Sequence, residues 1–290
     1  MSYSVIIPSY QRPEMLARAL RSVYAQTVLP GAIYLIVDEV EDWERYAFLN
    51  DEFDGRLKTT FTGGGFGGAK ARNVGLDQAE EDYVFFLDDD DEWLPTKVEK
   101  QIALLESRPD AVGVTCGRTE VIAMNHHSVD VLSDESLLNK RIRALNLTGS
   151  FSQFGFRSAV LSKIRLTDEL GSAQDFEFYM RVSDSGTIAV VSECLIRYHR
   201  HGEGSITGSV EKKLHAYSLI DELHRSASSM YDNAYRAYTS KRIKLLGELP
   251  VGERFILTFQ VVCAALRYFE FKRVILIFLR AIRGRQRIAD

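Results

Sequence analysis

The chain has 290 residues, of which 46% are hydrophobic and 26% are charged. This length suffices for one large domain with an appendage or for two small domains. The net charge of −4 excludes a general nucleic-acid-binding protein, which would carry a clear excess of basic residues.

The cysteines and the N-terminus indicate the cellular compartment of the protein. The three cysteines, Cys116, Cys194 and Cys263, are widely spaced, which excludes a disulfide framework and zinc-binding motifs and favours a reducing environment. The first apolar run is short and ends at Pro8, so we expect no signal peptide. No run approaches the roughly 18 apolar residues of a membrane-spanning helix. We therefore expect a cytoplasmic protein.

Strands and helices alternate along the first 115 residues. Short apolar runs predict strands at 4–8, 32–38, 57–61, 83–87 and 111–115. Helical periodicity predicts helices beginning at Pro13 and covering 69–79 and 96–107. This alternation is typical of an α/β fold with a mostly parallel sheet. From about residue 209 the pattern is helical, so we expect one domain at 1–208 and a helical extension at 209–290.

A run of five acids directly follows one predicted strand, in the stretch VFFLDDDDEW at 84–93. Ligands of such sheets collect at the carboxyl ends of strands, where Pro8–Tyr10, Asp38 and the acids should meet. Asp88 and Asp90 share one side of an extended chain. Paired carboxylates suit Mg²⁺ or Mn²⁺, which bridges phosphates of a nucleotide. The alternative is a solvated acidic loop.

Three other motifs match part of this pattern. An EF-hand beginning at Asp88 would require glycine where Trp93 stands and a helix where a strand is predicted. A haloacid-dehalogenase-like phosphatase would require Thr or Val where Glu92 stands. The stretch GGGFGG at 63–68 matches a dinucleotide-binding fingerprint, with Asp88 at suitable spacing. That reading leaves most of the acidic run unexplained, and the glycines also suit a loop over a nucleotide.

Several segments together resemble the inverting glycosyltransferases of family 2, which have a GT-A fold. They are SVIIPSYQRPEMLARALRSVYAQT, AIYLIVD, AKARNVGL and YVFFLDDDDEWLPTKV, in this order. The likeness continues through LTDELGSAQDFEFYMR and LIRYHRHGEGS and covers about residues 3–207. The resemblance implies a nucleotide-sugar donor, most simply UDP-linked, a divalent metal, and a saccharide or lipid-linked saccharide acceptor.

The resemblance also implies roles for residues of the donor site. Asp38 would accept a hydrogen bond from uracil. The other residues implied in nucleotide binding are Pro8, Ser9, Tyr10, Arg12, Arg72, Asp88 and Asp89.

The metal and the general base are implied in the same way. Asp88 and Asp90 match the D-x-D motif that holds the metal, and His201 matches a position near the metal and diphosphate. Asp175 matches the general base, although Gln174 stands where that family has glutamate. From the residues alone, Asp175 could equally cap the helix predicted at 176–182.

The last forty residues combine apolar and basic side chains, with a net charge of +5 over 251–290. Residues 264–287 could form a helix with an apolar stripe flanked by Lys and Arg. Such a helix suits a membrane interface with anionic lipid, which would make the enzyme peripheral at the cytoplasmic face. The alternative is a helix packed on the catalytic domain.

The leading prediction is therefore a metal-dependent inverting glycosyltransferase of polysaccharide biosynthesis. Two alternatives stay open from the sequence. A dinucleotide-dependent oxidoreductase would use the glycines at 63–68. An inactive module would bind a nucleotide-sugar without turnover, which Gln174 makes conceivable.

Overall fold

The structure is a computed structural model that describes residues 1–122, 125–129 and 149–200, with single positions within 135–142 and 215–223. One structural unit comprises Met1–Leu170 and Gln174–Glu203. Only six positions of the predicted extension are described, so the boundary at residue 208 stays a prediction. Among the described residues, no helix is long and apolar enough to cross a membrane.

The first half of the unit is a parallel sheet. Its strands are β1 (Tyr3–Ser9), β2 (Ala32–Val37), β3 (Leu57–Phe61) and β4 (Tyr83–Phe86). They lie in the order β3-β2-β1-β4, and every pair is parallel. All residues of β2 and β4 are buried, as the apolar runs in the sequence require for a sheet covered on both faces. The four predicted strands are confirmed to within one residue at each end.

Helices connect these strands. They are α1 (Pro13–Tyr24), α2 (Phe48–Glu52), α3 (Gly67–Gln78) and α4 (Lys97–Ser107). Pro13 occupies the first turn of α1, where its missing amide proton costs no hydrogen bond. The apolar stripe of α1 is fully buried against the sheet. The three predicted helices are confirmed, and α2 was not predicted.

The second half of the sheet is mixed rather than parallel. It contains β5 (Glu92–Trp93), β6 (Ala111–Ile122), β7 (Asn125–Val129), β8 (Gly155–Arg157) and β9 (Thr187–His199), with helices α5 (Ser158–Leu161) and α6 (Gln174–Val182). The order continues β4-β8-β6-β9-β5, with β7 beside β6. Strand β8 runs antiparallel to both neighbours, whereas β6 and β9 are parallel. Of these elements, the sequence predicted β6, in a shorter form, and α6, from residue 176.

Two apolar clusters cover the two faces of the sheet. Val5 and Ile7 of β1 belong to one cluster, and Ile6 belongs to the other. This division follows from the alternation of side chains along a strand. Gly155 of β8 is required by close packing, because a Cβ atom there would lie 2.1 Å from Cε1 of Phe85.

One charged side chain is buried in this core. Lys97 is fully buried, and its Nζ donates to Oε1 of Gln101 at 2.7 Å. Nζ also lies 4.2 Å from the ring centroid of Trp93 and 4.9 Å from that of Phe85. Burial lowers the pKa of Lys97 from 10.5 to about 8, because the charged form loses hydration. The Lys97 ammonium therefore weakens the fold at neutral pH relative to its neutral form.

We expect the free-energy cost of burying the Lys97 ammonium to appear as a dependence of stability on pH. Because the pKa of Lys97 is lower in the folded than in the unfolded chain, the unfolded chain binds more protons between about pH 8 and 10.5. The contribution of Lys97 to stability therefore rises with pH. Between about pH 7.5 and 10, the unfolding free energy of the wild type should gain about 2 kcal/mol relative to Lys97→Met. Denaturant titrations of both chains measure this difference.

Cys116 also titrates in this range, because burial raises the pKa of its thiol to about 11. The charge of Lys97 lowers that pKa, so both chains are compared in a Cys116→Ala background, which removes the contribution of the thiol. A free-energy difference that is constant with pH would show that Lys97 titrates alike in the folded and unfolded chains, so that burial does not lower its pKa.

Candidate active site

The carboxyl ends of β1, β2 and β4 meet at one edge of the sheet, as predicted. Ser9, the last residue of β1, connects them. Its carbonyl accepts from the amide of Asp38 at 2.8 Å, just after β2. Its hydroxyl donates to Oδ2 of Asp89 at 2.8 Å, in the acidic run after β4. The predicted nucleotide-site residues around these three strand ends are therefore neighbours. Pro8 is half-buried within β1, and Tyr10 beyond its end is exposed.

The four aspartates of the acidic run alternate in exposure. Asp88 and Asp90 keep 25% and 22% of their side-chain surface exposed. Asp89 keeps 9%, and Asp91 is fully buried. The run is a turn rather than the extended chain that the sequence predicted, because the amide of Asp91 donates to the carbonyl of Asp88 at 3.1 Å. Asp88 and Asp90, the pair of the D-x-D motif, are thus the two that a ligand can reach.

Asp89 faces β1. It accepts from the Ser9 hydroxyl and from the amide of Tyr10 at 3.3 Å. Burial, with repulsion from Asp90, raises the pKa of Asp89 to about 6. Arg12 offsets part of this charge, since its Nη1 lies 3.4 Å from Asp89 Oδ1 and 2.8 Å from Asp90 Oδ2. Asp89 therefore ties β1 to the acidic run, and its contact with a nucleotide stays a prediction.

Asp88 pairs with Arg72 of α3. Nη2 of Arg72 contacts Oδ1 of Asp88, and Nη1 donates to the carbonyl of Gly68 at 3.0 Å. The guanidinium also lies 4.3 Å from the ring centroid of Phe151. Arg72 is buried, so this cation is held beside Asp88 in one orientation. The structure thus brings together Arg12, Arg72 and the D-x-D pair.

Asp38 organises the glycine-rich loop between β3 and α3. Its Oδ1 accepts from the hydroxyl of Thr62 at 2.6 Å and the amide of Phe66 at 2.9 Å. Its Oδ2 accepts from the amide of Gly67 at 2.7 Å. A carboxylate offers about four acceptor sites, so roughly one is left for a ligand. The loop amides that would hold a dinucleotide pyrophosphate are thus engaged by Asp38.

The segment after Asp38, EVED at 39–42, is held by Glu39. Oε1 of Glu39 accepts from the amide of Gln11 at 2.6 Å and from the hydroxyl of Tyr46 at 2.5 Å. Oε2 pairs with Arg45 at 2.8 Å. Gln11 has a φ of 56°, a left-handed conformation that this hydrogen bond stabilises. The loops after β1 and β2 therefore support each other.

Asp175 lies in the first turn of α6, which begins one residue before it. Its Oδ1 accepts from the amide of Phe176 at 2.8 Å. The start of α6 lies beside the start of α3, because a Cβ atom at Gly68 would lie 3.4 Å from Oε1 of Gln174. Tyr179, one turn further along α6, has a buried hydroxyl that finds no hydrogen-bond partner in the described part of the chain.

Tyr179 shows how close Asp175 lies to the acidic run. Burial raises the pKa of the Tyr179 hydroxyl, and the charges of Asp175 and Asp88 raise it further. The charge of Arg72 acts in the opposite direction. Asp175, Asp88 and Arg72 are therefore all close enough to this hydroxyl to influence its pKa, so that the predicted base lies near the predicted donor site.

Asp91 and two serines were missed by the sequence analysis. Asp91 accepts from the hydroxyl of Ser152 at 2.6 Å and the amide of His199 at 3.3 Å. Burial, with repulsion from Asp88 and Asp90, raises the pKa of Asp91 well above its ordinary value. Ser152, together with Ser150, follows a polar stretch without periodicity. No sequence signal marks these two residues.

The oxygen-rich site fits a hard divalent cation. Among the described residues, no three His, Cys, Asp or Glu side chains are arranged to hold a metal ion. Mg²⁺, however, is usually bound by one or two carboxylates together with phosphates and waters. Asp88 and Asp90 supply such carboxylates, in surroundings crowded with negative charge. His201, the third predicted ligand, lies outside the described residues.

Comparison with known proteins identifies a family. A model of the family "Glycosyl transferase family 2" matches residues 4–165, which is more than half of the chain. The chain is 26% identical over 219 residues to the amylovoran biosynthesis glycosyltransferase AmsB of Erwinia amylovora. That alignment covers 69% of this chain and 70% of AmsB.

Solved structures share the fold. TarS 1–349 of S. aureus in complex with UDP-GlcNAc has a TM-score of 0.68 and 19% identity, with 98% of this chain and 92% of TarS covered. The mannosyltransferase PcManGT of Pyrobaculum calidifontis, in complex with GDP-Man and Mn²⁺, has a TM-score of 0.61 and 13% identity. That match covers 98% of this chain and 88% of PcManGT. At these identities the likeness establishes a shared architecture.

We expect Asp38 to control the glycine-rich loop even without a ligand. In Asp38→Ala the amides of Phe66 and Gly67 lose their charged acceptor, so their hydrogen exchange should accelerate about tenfold or more. Exchange measured by NMR checks this rate. Thr62→Val is the matched control, because it removes one bond to Asp38 and leaves both amides paired. Unchanged exchange in Asp38→Ala would show that the loop holds itself.

Proposed function

The chain belongs to glycosyltransferase family 2, and on this basis we propose that it is a metal-dependent, inverting enzyme that uses a UDP-sugar. Its fold is the GT-A fold that the sequence predicts, and its activity is that of a glycosyltransferase. The proposed acceptor is a saccharide or a lipid-linked saccharide of polysaccharide biosynthesis. The observation that carries the proposal is the convergence of Asp38, the D-x-D pair and Asp175 at one edge of the sheet.

The donor is proposed to bind across the strand ends. Uracil would lie against Pro8 and Tyr10. Its imide N–H would donate a hydrogen bond to the remaining acceptor site of Asp38. Arg12 and Arg72 would face the nucleotide and its phosphates, since guanidinium groups suit phosphate oxygens. TarS in complex with UDP-GlcNAc supports a UDP-sugar. This assignment gives the exposed ring of Tyr10 a ligand to cover it.

Asp88 and Asp90 are the residues proposed to hold Mn²⁺ or Mg²⁺, with His201 as a further candidate. When bound, such an ion offsets negative charge on the departing diphosphate. Asp90 pairs with Arg12 and Asp88 with Arg72, so these arginines also balance the carboxylates. PcManGT in complex with GDP-Man and Mn²⁺ supports a divalent metal in this fold.

Asp175 is proposed as the general base. An acceptor oxygen forms a bond to the anomeric carbon, and the bond from that carbon to the diphosphate oxygen breaks. The diphosphate leaves with the electron pair, and the acceptor proton passes to the Asp175 carboxylate. Attack from the face opposite the leaving group inverts the anomeric configuration. The first turn of α6 would hold Asp175 beside the donor site.

A membrane surface is proposed as a partner through the basic segment 251–290. That segment lies outside the described residues, and the proposal rests on its charge of +5 and its apolar stripe. A peripheral position at the cytoplasmic membrane face would bring the enzyme to a lipid-linked acceptor.

The remaining alternatives are weaker. An oxidoreductase would need the glycine-loop amides that Asp38 engages, and the family match covers that loop. An inactive nucleotide-sugar-binding module would follow if Gln174 prevented catalysis. Nε2 of Gln174 donates to the carbonyl of Leu170 at 2.6 Å, a structural contact that gives Gln174 a role other than catalysis.

We expect UDP to protect the chain from heating more than CDP does, with Mn²⁺ increasing the difference. The imide N–H of uracil donates to Asp38, whereas cytosine has no proton at that nitrogen. Asp90→Ala should lose the Mn²⁺-dependent part of the shift in Tm. Asp77→Ala, an exposed acid on α3, should keep it.

Two results would contradict this scheme. Equal protection by UDP and CDP would remove the proposed role of Asp38. Protection and turnover that survive a chelator would remove the proposed metal.

Asp175→Asn should lower turnover by roughly 10²-fold or more, because an amide cannot take the acceptor proton. Binding of the nucleotide-sugar and the Tm should change little, since Asn substitutes for Asp at a helix start. Asp168→Asn is the matched control within the same segment and should retain turnover. Proton coupling at the anomeric carbon of the product should report inversion. Retention, or a fully active Asp175→Asn, would refute the assignment.

A further inference from the structure

Two serine hydroxyls lie directly beneath the acidic run. They belong to Ser150 and Ser152, which flank Phe151 at a single 3-10 turn, Phe151–Gln153, immediately before β8. Ser152 is fully buried, and Ser150 is partly exposed. Neither hydroxyl has a role in the mechanism described above.

Each serine donates to a different aspartate. The hydroxyl of Ser150 donates to Oδ2 of Asp88 at 2.8 Å, and that of Ser152 donates to Oδ2 of Asp91 at 2.6 Å. The amide of Asp88 donates back to Oγ of Ser152 at 3.0 Å, and the amide of Ser152 donates to Oγ of Ser150 at 3.1 Å. Oγ of Ser150 also lies 3.2 Å from Oδ2 of Asp91 and 3.1 Å from Oγ of Ser152, and we assign its single proton to Asp88, the shortest of the three contacts.

The turn that carries the serines is anchored in the core. Nε1 of Trp93 donates to the carbonyl of Ser152 at 2.9 Å, and Nε2 of Gln101 donates to that of Gln153 at 2.9 Å. Nε2 of Gln153 donates to the carbonyl of Cys116 at 2.6 Å. Three separate elements thus hold the turn, so the two hydroxyls are fixed in space.

Neutral hydroxyls suit this position better than basic side chains. Asp88 and Asp91 repel each other, and a hydrogen bond to each carboxylate stabilises the charged form. A serine does this without neutralising the charge, so the negative potential that attracts a cation is preserved. Outer partners of this kind fix the orientation of metal-binding carboxylates in proteins generally.

We propose that Ser150 and Ser152 are positioning residues of the donor site, which hold Asp88 in the orientation that binds the divalent cation. The inference rests on the proposed metal-dependent function. Ser150 acts on the Asp88 carboxylate directly. Ser152 acts through the Asp88 amide and by holding Asp91, which lies next to Asp90 in the same run.

The test measures the affinity for Mn²⁺ rather than turnover. Free Mn²⁺ is titrated by electron paramagnetic resonance in the presence of saturating UDP, with the wild type, Ser150→Ala and Ser152→Ala. Both variants should bind Mn²⁺ about tenfold or more weakly. Ser150→Thr keeps the hydroxyl on a partly exposed residue and should bind nearly as the wild type does.

Ser4→Ala is the matched control for the loss of a buried hydroxyl. Ser4 is fully buried on β1 and donates to the carbonyl of Tyr83 at 3.4 Å, at the opposite end of the strands. The Mn²⁺ affinity of Ser4→Ala should equal that of the wild type, whatever the Tm of the variant. If Ser152→Ala melts below the assay temperature, Ser150→Ala decides the question.

The outcomes distinguish the proposal of a metal-dependent enzyme from the proposal that the two serines position Asp88. A wild-type chain that binds no Mn²⁺ with UDP overturns the proposed metal and this assignment with it. A wild type that binds Mn²⁺ while Ser150→Ala and Ser152→Ala match it overturns this assignment alone. Equal weakening in Ser4→Ala would also overturn it, because the effect would then follow from stability.

Discussion

Four adjacent aspartates at the end of a buried strand repel one another, and the rest of the site follows from how that repulsion is balanced. Each carboxylate has its own partner from a different part of the chain. Asp88 pairs with Arg72, Asp89 with Ser9, and Asp90 with Arg12, while Asp91 is held by serine hydroxyls. Because every partner comes from another element, the balance also fixes those elements around the acidic run.

This constraint explains why the two halves of the sheet differ. The parallel half brings three strand ends to one edge and forms the nucleotide side of the site. The antiparallel strand β8 then returns beside β4, and the 3-10 turn before it passes beneath the acidic run. A further parallel strand would begin at the opposite edge of the sheet. Because β8 runs antiparallel to β4, the turn before β8 brings Ser150 and Ser152 close to the carboxylates of the acidic run.

In the glycine-rich loop as well, one carboxylate is the partner of several groups. Its glycines permit the left-handed turns at Gly63 and Gly67, and Asp38 satisfies the amides that those turns leave unpaired. The carboxylate proposed to recognise uracil is thus also the one that shapes the loop. Nucleotide recognition and loop conformation share one side chain, which couples the two physically.

Local pattern determined the α/β class, the four parallel strands, the helices α1, α3 and α4, and the edge where Asp38 and the acidic run meet. These features depend on periodicity over a few residues and on the rule that parallel strands end together. Only the tertiary structure decided the partners of Asp91, the double use of Asp38, and the fully buried Lys97. The strands β5, β8 and β9 also emerged there, because their pairing joins residues far apart in the chain. β5 and β8, with two and three residues, are too short to carry a periodic signal of such contacts.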